Sequence, residues 1–306
     1  MAESINDIKH RISSTKKTRQ ITQAMEMVST VKLNQIQRHS ITYNKYVSRV
    51  KSVVMHLAQS HMLDGYNSSS NDNSSEKSSK TAYLVITSDR GMVGSYNSNV
   101  LRETNKFISE HSKDSNDYMV ISIGNNGSEF FKKRGTNVIY ENNGISDVPT
   151  FNEVKDIVKN ITSMFNDGIF SELYVCYSHF VNRVSSEFRS EKLLPMDKNS
   201  IQESIDENQA GSEVEVKPLS ADYDVEPSEE EVLNVVLPQY AESLVYGAIL
   251  DAKTSEHASS STAMKSATDN AGDLISGLEL KFNRARQAAI TTEITEITGG
   301  QEALGQ

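Results

Sequence analysis

The chain has a single cysteine, Cys176, so it can form neither an internal disulfide nor a cysteine cluster for zinc. A reducing compartment fits that usage. Long hydrophobic runs are missing as well: no stretch reaches the roughly 18 apolar residues that mark a transmembrane helix, and the mean hydropathy is −0.49. The opening residues MAESINDIKHR carry no apolar core, so no signal or transit peptide is expected. Apolar residues make up 37% of the 306, below the usual ~45–50%. At about 150 residues per domain, this length suggests two structural units.

Helix breakers are scarce at both ends. The first glycine is Gly65 and the first proline Pro149, and after Pro238 only Gly247, Gly272 and Gly277 interrupt before Gly299 and Gly300. Helices average about 11–12 residues, so both terminal stretches read as exceptionally long ones. Ile5, Ile8 and Ile12 start an apolar stripe that Ile21, Met25 and Val28 continue. Tyr43, Val47, Val50, Val54 and Leu57 then alternate steps of four and three. This is a coiled-coil seam with a phase slip expected near residues 29–36. At 1.5 Å per residue the first helix is about 80 Å long, so its seam needs another long element. Leu244, Ala248, Met264, Ala267, Ala271, Leu274, Leu278, Ala285 and Ala288 offer one, with small side chains that keep a helix pair slender.

Charge is segregated. Residues 1–60 hold ten Lys/Arg against three Asp/Glu, while residues 200–231 hold one against eleven; the net charge is −10. Differently charged partner surfaces follow. Nucleic acid suits only the basic end, which has just two aromatics, Tyr43 and Tyr46, and it is not expected as a partner.

The middle alternates strand and helix patterns. Residues 66–80, with seven Ser and three Asn, read as a polar linker. Strands are expected at 82–88, 118–124, 138–141 and 173–181. Helices fall between them, at Val100–Ile108, at 129–135 and from Phe151 to Phe165, where Val154, Ile157, Val158 and Ile161 share a face. This order predicts a mostly parallel, Rossmann-like sheet. Its first turn carries Gly91 and Gly94 followed by Asn97, which is neither G-x-G-x-x-G nor a phosphate loop. Those glycines are read as shaping a tight strand-to-helix turn.

Catalytic patterns do not emerge. His56 and His61 are the closest histidines, at a spacing that diverges on a helix, and Cys176 sits mid-strand. No metal-ligand spacing or nucleophile elbow occurs. No catalytic, cofactor-binding or metal-binding residue is expected. Glu229, Glu230 and Glu231 after Pro227 look like the first turn of a helix.

Three segments carry a resemblance: RISSTKKTRQITQAMEMVSTVKL (11–33), ITSDRGMVGSYNSNVLR (86–102) and SATDNAGDLISGLELKFNRARQAAITTEITEITGGQEAL (266–304). Together they resemble the gamma-subunit family of F-type ATP synthases, in the same order and over nearly the whole length. The fold implied is α/β: a long antiparallel coiled coil of N- and C-terminal helices plus a Rossmann-like parallel-sheet domain. The boundaries expected are an N-terminal shaft helix at 1–62, a polar linker at 63–81, the α/β domain and foot at 82–227, and a C-terminal shaft helix at 228–306. The resemblance implies a central rotor stalk, one copy per complex, that carries torque between a membrane ring of c subunits and a catalytic hexamer of alpha and beta subunits. The epsilon subunit is implied beside the foot. Met25, Arg286, Gln287 and Thr291 match positions that face the beta subunits. Tyr223 and Glu226, in DYDVEP, match the segment that meets the ring. The family pattern is broken at Lys17, at Thr298 and at Ser259–Ser261. With no chloroplast-type cysteine insertion, the resemblance implies a bacterial complex at the cytoplasmic face of the cell membrane.

Two other readings remain open on the residues alone: a nucleotide-binding α/β protein with coiled-coil arms, and a coiled-coil scaffold. Calorimetry of the isolated chain with ATP separates the first from a stalk. No micromolar binding is expected, and micromolar affinity would favour a nucleotide sensor.

Overall fold

A computed structural model describes residues 4–59, 79–112, 114, 116–195, 226 and 229–304. In chain order the elements are α1 (Ile5–Gln59), β1 (Thr81–Ile86), α2 (Tyr96–His111), β2 (Tyr118–Ile123), α3 (Asn125–Lys133), β3 (Val138–Asn142), α4 (Phe151–Asn166), β4 (Glu172–Phe180), β5 (Ser186–Leu194) and α5 (Glu229–Leu304). The chain divides into two compact units, Met1–Ser29 with Ser260–Gln306, and Thr30–Ser259.

The Thr30–Ser259 unit is built on a five-stranded sheet of order β3-β2-β1-β4-β5. β1 pairs in parallel with β2 and β4, and β2 with β3; β5 runs antiparallel to β4. Successive strand residues point to opposite faces, and both faces are covered. Ala82, Leu84 and Ile86 of β1 join Ile121, Ile123 and Val175 in a core closed by Val154, Ile157, Val158 and Ile161 of α4 and by Val245, Ile249 and Ala252 of α5. Tyr83 and Val85 join Val120 and Cys176 on the other face, under Tyr96, Val100 and Ile108 of α2 and Phe131 of α3. β5 is absent from the sequence reading. Its residues SEFRSEKLL mix charge with apolar side chains and are only partly covered, apart from buried Leu193.

Local chemistry explains the boundaries. α4 starts at a capping box in which Thr150 and Glu153 satisfy each other's backbone N–H groups, directly after Pro149. α3 starts at Gly124, whose φ of +95° no side chain would adopt comfortably. A Cβ at Gly124 would stand 2.2 Å from the carbonyl oxygen of Thr87, which is why the first turn of α3 can press onto the end of β1. In the turn after β1, the left-handed residues are Met92 and Gly94, not Gly91.

Aromatic contacts join α1, α5 and α4 within this unit. The Tyr43 ring meets Tyr246 edge-on at 4.6 Å, and Tyr246 meets Phe151 at 5.5 Å. Tyr43 donates its hydroxyl to the Ser243 carbonyl at 2.7 Å, and Tyr246 donates to the Pro149 carbonyl at 3.0 Å. On β4, His179 Nδ1 lies 2.5 Å from Asp251 of α5, and Asp251 also accepts the Phe180 N–H at 2.9 Å. Cys176 is fully buried, and burial pushes its thiol up to about 12, so it is an inert core residue.

The contrast between two left-handed glycines is testable. Gly124→Ala is expected to cost about 3–5 kcal/mol through the clash with the Thr87 carbonyl. Gly135→Ala, where φ is +72° but nothing lies within 4 Å, is expected to cost only about 1 kcal/mol. Denaturant midpoints of the full chain would check this, and equal losses would refute the packing argument.

Candidate partner-contact surfaces

The Met1–Ser29 and Ser260–Gln306 unit is an antiparallel helix pair. Three cross-pairs set its register: Lys16 with Glu279 at 2.7 Å, the Thr22 and Thr268 hydroxyls at 2.7 Å, and the Ser29 and Ser260 hydroxyls at 3.1 Å. As the α1 number rises the α5 number falls, which is the antiparallel signature.

The covered positions differ from those that apolar residues alone suggest. On α1 of this unit they are Ile5, Ile8, Ile12, Thr15, Thr22, Glu26 and Ser29, with Met25 half-buried at the margin. Ile21 and Val28, read as part of the stripe, are exposed, Ile21 at 60%. There is also no phase slip near 29–36. Counting along α1, Ser29, Leu33, Ile36, Ser40 and Tyr43 keep alternating steps of four and three. On α5 the covered line is Met264, Thr268, Ala271, Ile275, Leu278, Phe282, Ala285 and Ala289, an unbroken heptad pattern. Leu274, expected in the seam, is 49% exposed, and Ala288 is exposed. The cause is chemical: threonine and serine occupy seam positions and satisfy their hydroxyls across it, so the larger apolar residues nearby belong to other faces.

Arg286, Gln287 and Thr291 lie exposed on one stretch of α5. The Thr291 hydroxyl donates to the Gln287 carbonyl at 2.9 Å, and no described residue pairs with Arg286, so its guanidinium stays available for a charge-assisted bond. Met25 is not brought to them. The Thr22–Thr268 pair puts it opposite α5 residues near 265, some twenty residues or ~30 Å along the axis from Arg286. Glu226 is exposed in a bend. Tyr223 lies outside the described residues, as do His61 and most of the 66–80 segment.

Sequence reading passed over one surface. Counting from the cross-pairs, Ile5 stands opposite a residue near 290, so α5 runs on beyond the start of α1. On that overhang Ile290, Ile294 and Ile297 form a stripe at helical spacing, all exposed, Ile297 at 70%. Four threonines beside it, Thr291, Thr292, Thr295 and Thr298, each donate to the carbonyl four residues back at 2.8–3.0 Å. The spacing of the isoleucines was the available signal, and its meaning needed the register of the partner helix.

The crevice where doubly wound sheets bind nucleotides, at the carboxyl ends of their strands, is closed here by the chain itself. Asp89 accepts the N–H of Asn125, at the start of α3, at 3.1 Å and that of Gly144 at 3.0 Å. A carboxylate therefore stands where a phosphate would seek the helix N-terminus. Asn97 and Ser88 bond to each other at 2.7 Å, and Asn126 donates to the Ser88 carbonyl at 2.8 Å. Among the described residues no group of His, Cys, Asp and Glu could hold a metal ion, and no helix is long and apolar enough to cross a membrane.

The sequence pattern of the family described as ATP synthase matches residues 4–304. The chain is 66% identical over 304 residues to the ATP synthase gamma chain of Levilactobacillus brevis, covering 99% of each. It is 58% identical to that of Lactiplantibacillus plantarum, covering 98% of each. Among solved structures, it resembles a chain of the Tetrahymena thermophila mitochondrial ATP synthase central stalk and c-ring. That likeness has a TM-score of 0.58 at 24% identity, over 81% of this chain and 99% of that one. It also resembles a chain of the Euglena gracilis mitochondrial ATP synthase OSCP/F1/c-ring assembly, with a TM-score of 0.67 at 17% identity, over 98% and 94%. These structural likenesses establish the fold.

The heptad register makes its own prediction. Leu278→Ala, which empties a buried seam position, is expected to cost about 2–4 kcal/mol, whereas Leu274→Ala should change stability by about 0.5 kcal/mol or less. Amide exchange across residues 260–289 of the full chain reads the difference. A larger effect at Leu274 would mean that the seam has been assigned to the wrong face.

Proposed function

The chain belongs to the ATP synthase gamma-chain family, and on that premise we propose that it is the central rotor stalk of a proton-translocating F-type ATP synthase. One copy stands in each complex, contributes no catalytic group and carries torque between the membrane ring of c subunits and the alpha/beta hexamer. The observation that carries this reading is the antiparallel seam of residues 5–29 with 260–289. A thin pair of helices is what a shaft inside a sleeve requires.

In this reading residues 1–62 and 228–306 supply the shaft, 63–81 a linker, and 82–227 the α/β body and foot. Proton flow turns the ring, the foot turns with it, and the shaft presents different faces to three beta subunits in turn. Each orientation favours a different beta conformation and so a different nucleotide affinity, a population shift driven by differential contact. The basic α1 face, the half-buried Met25, and Arg286, Gln287 and Thr291 meet the beta subunits. Screened charge pairs of about 0–1 kcal/mol each suit a contact that has to slip repeatedly. Tyr223 and Glu226 meet the ring, with the epsilon subunit alongside, and the complex lies at the cytoplasmic side of the cell membrane. The Ile290–Ile294–Ile297 stripe fits an apolar collar at the far end of the shaft. Asp89 at the start of α3 argues against the nucleotide-sensor alternative, because it repels the anion such a sensor would hold.

Truncation after Ala285 tests the shaft end. In reconstituted vesicles the truncated complex is expected to pump protons several-fold less than the intact one while its α/β body stays folded. Replacing Ile294 and Ile297 with serine should give a smaller loss in the same direction. Equal pumping by truncated and intact complexes would show that the tip contacts do not carry the coupling.

A further inference from the structure

The tripeptide Asn-Asn-Gly occurs twice, at 125–127 and 142–144, and these hold the only Asn-Gly bonds in the chain. Such a bond is chemically labile. The backbone nitrogen after the asparagine attacks the side-chain Cγ, and the Cγ–Nδ2 bond breaks. Ammonia leaves with the proton that the backbone nitrogen gave up, and a five-membered imide remains. Water then opens the ring at either carbonyl, giving aspartate or its β-linked isomer isoaspartate. Glycine is the most permissive neighbour, because it has no side chain to hinder the approach. The attacking nitrogen has to lose its proton first, so whatever holds that proton governs the rate.

Both glycine N–H groups are held by side chains of one short segment, the residues just after β1. Gly127 donates to Thr87 Oγ1 at 2.9 Å, and Gly144 donates to Asp89 Oδ2 at 3.0 Å. The two asparagines differ in everything else. Asn126 lies in the first turn of α3, its side-chain amide donates to the Ser88 carbonyl at 2.8 Å, and Gly127 is buried. A Cβ at Gly127 would stand 2.7 Å from Ser122 Oγ, so the backbone there has little room to bend into an imide. Asn143 follows β3 in neither helix nor strand, and both it and Gly144 are exposed. Gly144 has a φ of +86° and nothing within 4 Å of where a Cβ would stand. Packing does not immobilise Gly144; the bond to Asp89 does.

We propose that Asn143 is a deamidation site of this chain, and that the Asp89 carboxylate holds it latent. Asp89 acts in two ways. A charge-assisted hydrogen bond has to break before the Gly144 nitrogen can turn to Cγ. The amide anion that attacks would also form beside a negative charge, which disfavours it. Amide hydrogen exchange depends on loss of the same proton, and hydrogen-bonded amides resist it for the same reason. Once the imide forms, the Gly144 nitrogen carries no proton, and Asp89 keeps only the Asn125 N–H of its two donors. Ring opening restores the N–H but adds a carboxylate one residue before it and, in isoaspartate, an extra backbone atom. The closure of the crevice is thereby loosened at this corner, and with the ammonia gone the change does not reverse.

The test incubates the full chain at mildly alkaline pH and follows the mass gain of deamidation at each asparagine by peptide mass spectrometry. A synthetic peptide covering residues 138–149 supplies the unguarded rate. In the unmodified chain Asn143 is expected to convert about tenfold more slowly than in the peptide, and Asn126 more slowly still. Asp89→Ala should bring Asn143 to within about threefold of the peptide rate and leave Asn126 unchanged. Asn126 thus reports on folding within the same sample. Conversion of Asn143 at the peptide rate in the unmodified chain overturns the proposal, as does an equal or lower rate in Asp89→Ala. Acceleration of both asparagines together also overturns it, because Asp89 then acts through stability of the whole unit and not on this bond.

Discussion

Two helical stretches more than two hundred residues apart in sequence lie side by side because their covered positions obey one seven-residue repeat. Everything else in the Met1–Ser29 and Ser260–Gln306 unit follows from that shared period. The repeat brings Thr22 to Thr268 and Ser29 to Ser260, and hydroxyl pairs of this kind fix which residue faces which. A seam of leucines alone would bury more surface, but it would tolerate a shift of one heptad with little loss. Polar residues at such positions trade some stability for a single alignment.

The Thr30–Ser259 unit depends on a different regularity, the two-residue period of its strands. Alternate residues of β1 feed two separate cores, one under α4 and α5 and the other under α2 and α3. The parallel strands end at a crevice of the kind that holds a nucleotide in many proteins of this architecture. Here Thr87, Ser88, Asp89 and Asn97 bond to their neighbours across it. The body is thereby a rigid support, and its polar edge is satisfied from within.

Much of this was legible in the sequence. The first four strands appear as short apolar runs, and α4 is announced by Thr150, Glu153 and four apolar residues on one face. The lengths of α1 and α5 follow from the scarcity of glycine and proline. The register of the seam was not legible, because a search for apolar side chains selects Ile21, Val28 and Leu274 and passes over Thr22, Ser29 and Thr268, which are paired with hydroxyls. β5 was missed because its covering comes from β4 and not from its own composition. The exposed Ile290–Ile294–Ile297 line could be counted in the sequence. That none of the described residues covers it became evident only once the start of α1 was located against α5.

The threonine ladder on the overhang of α5 has a consequence for friction. Each hydroxyl proton there is already directed at a carbonyl of the same helix, four residues back. A neighbour brushing past finds methyl groups and oxygens but few donors to catch on. Bonds of that kind would have to break at every passage, each adding a barrier to movement. A surface whose donors are turned inward offers a smoother energy profile, and so behaves as a lubricated journal without any lubricant.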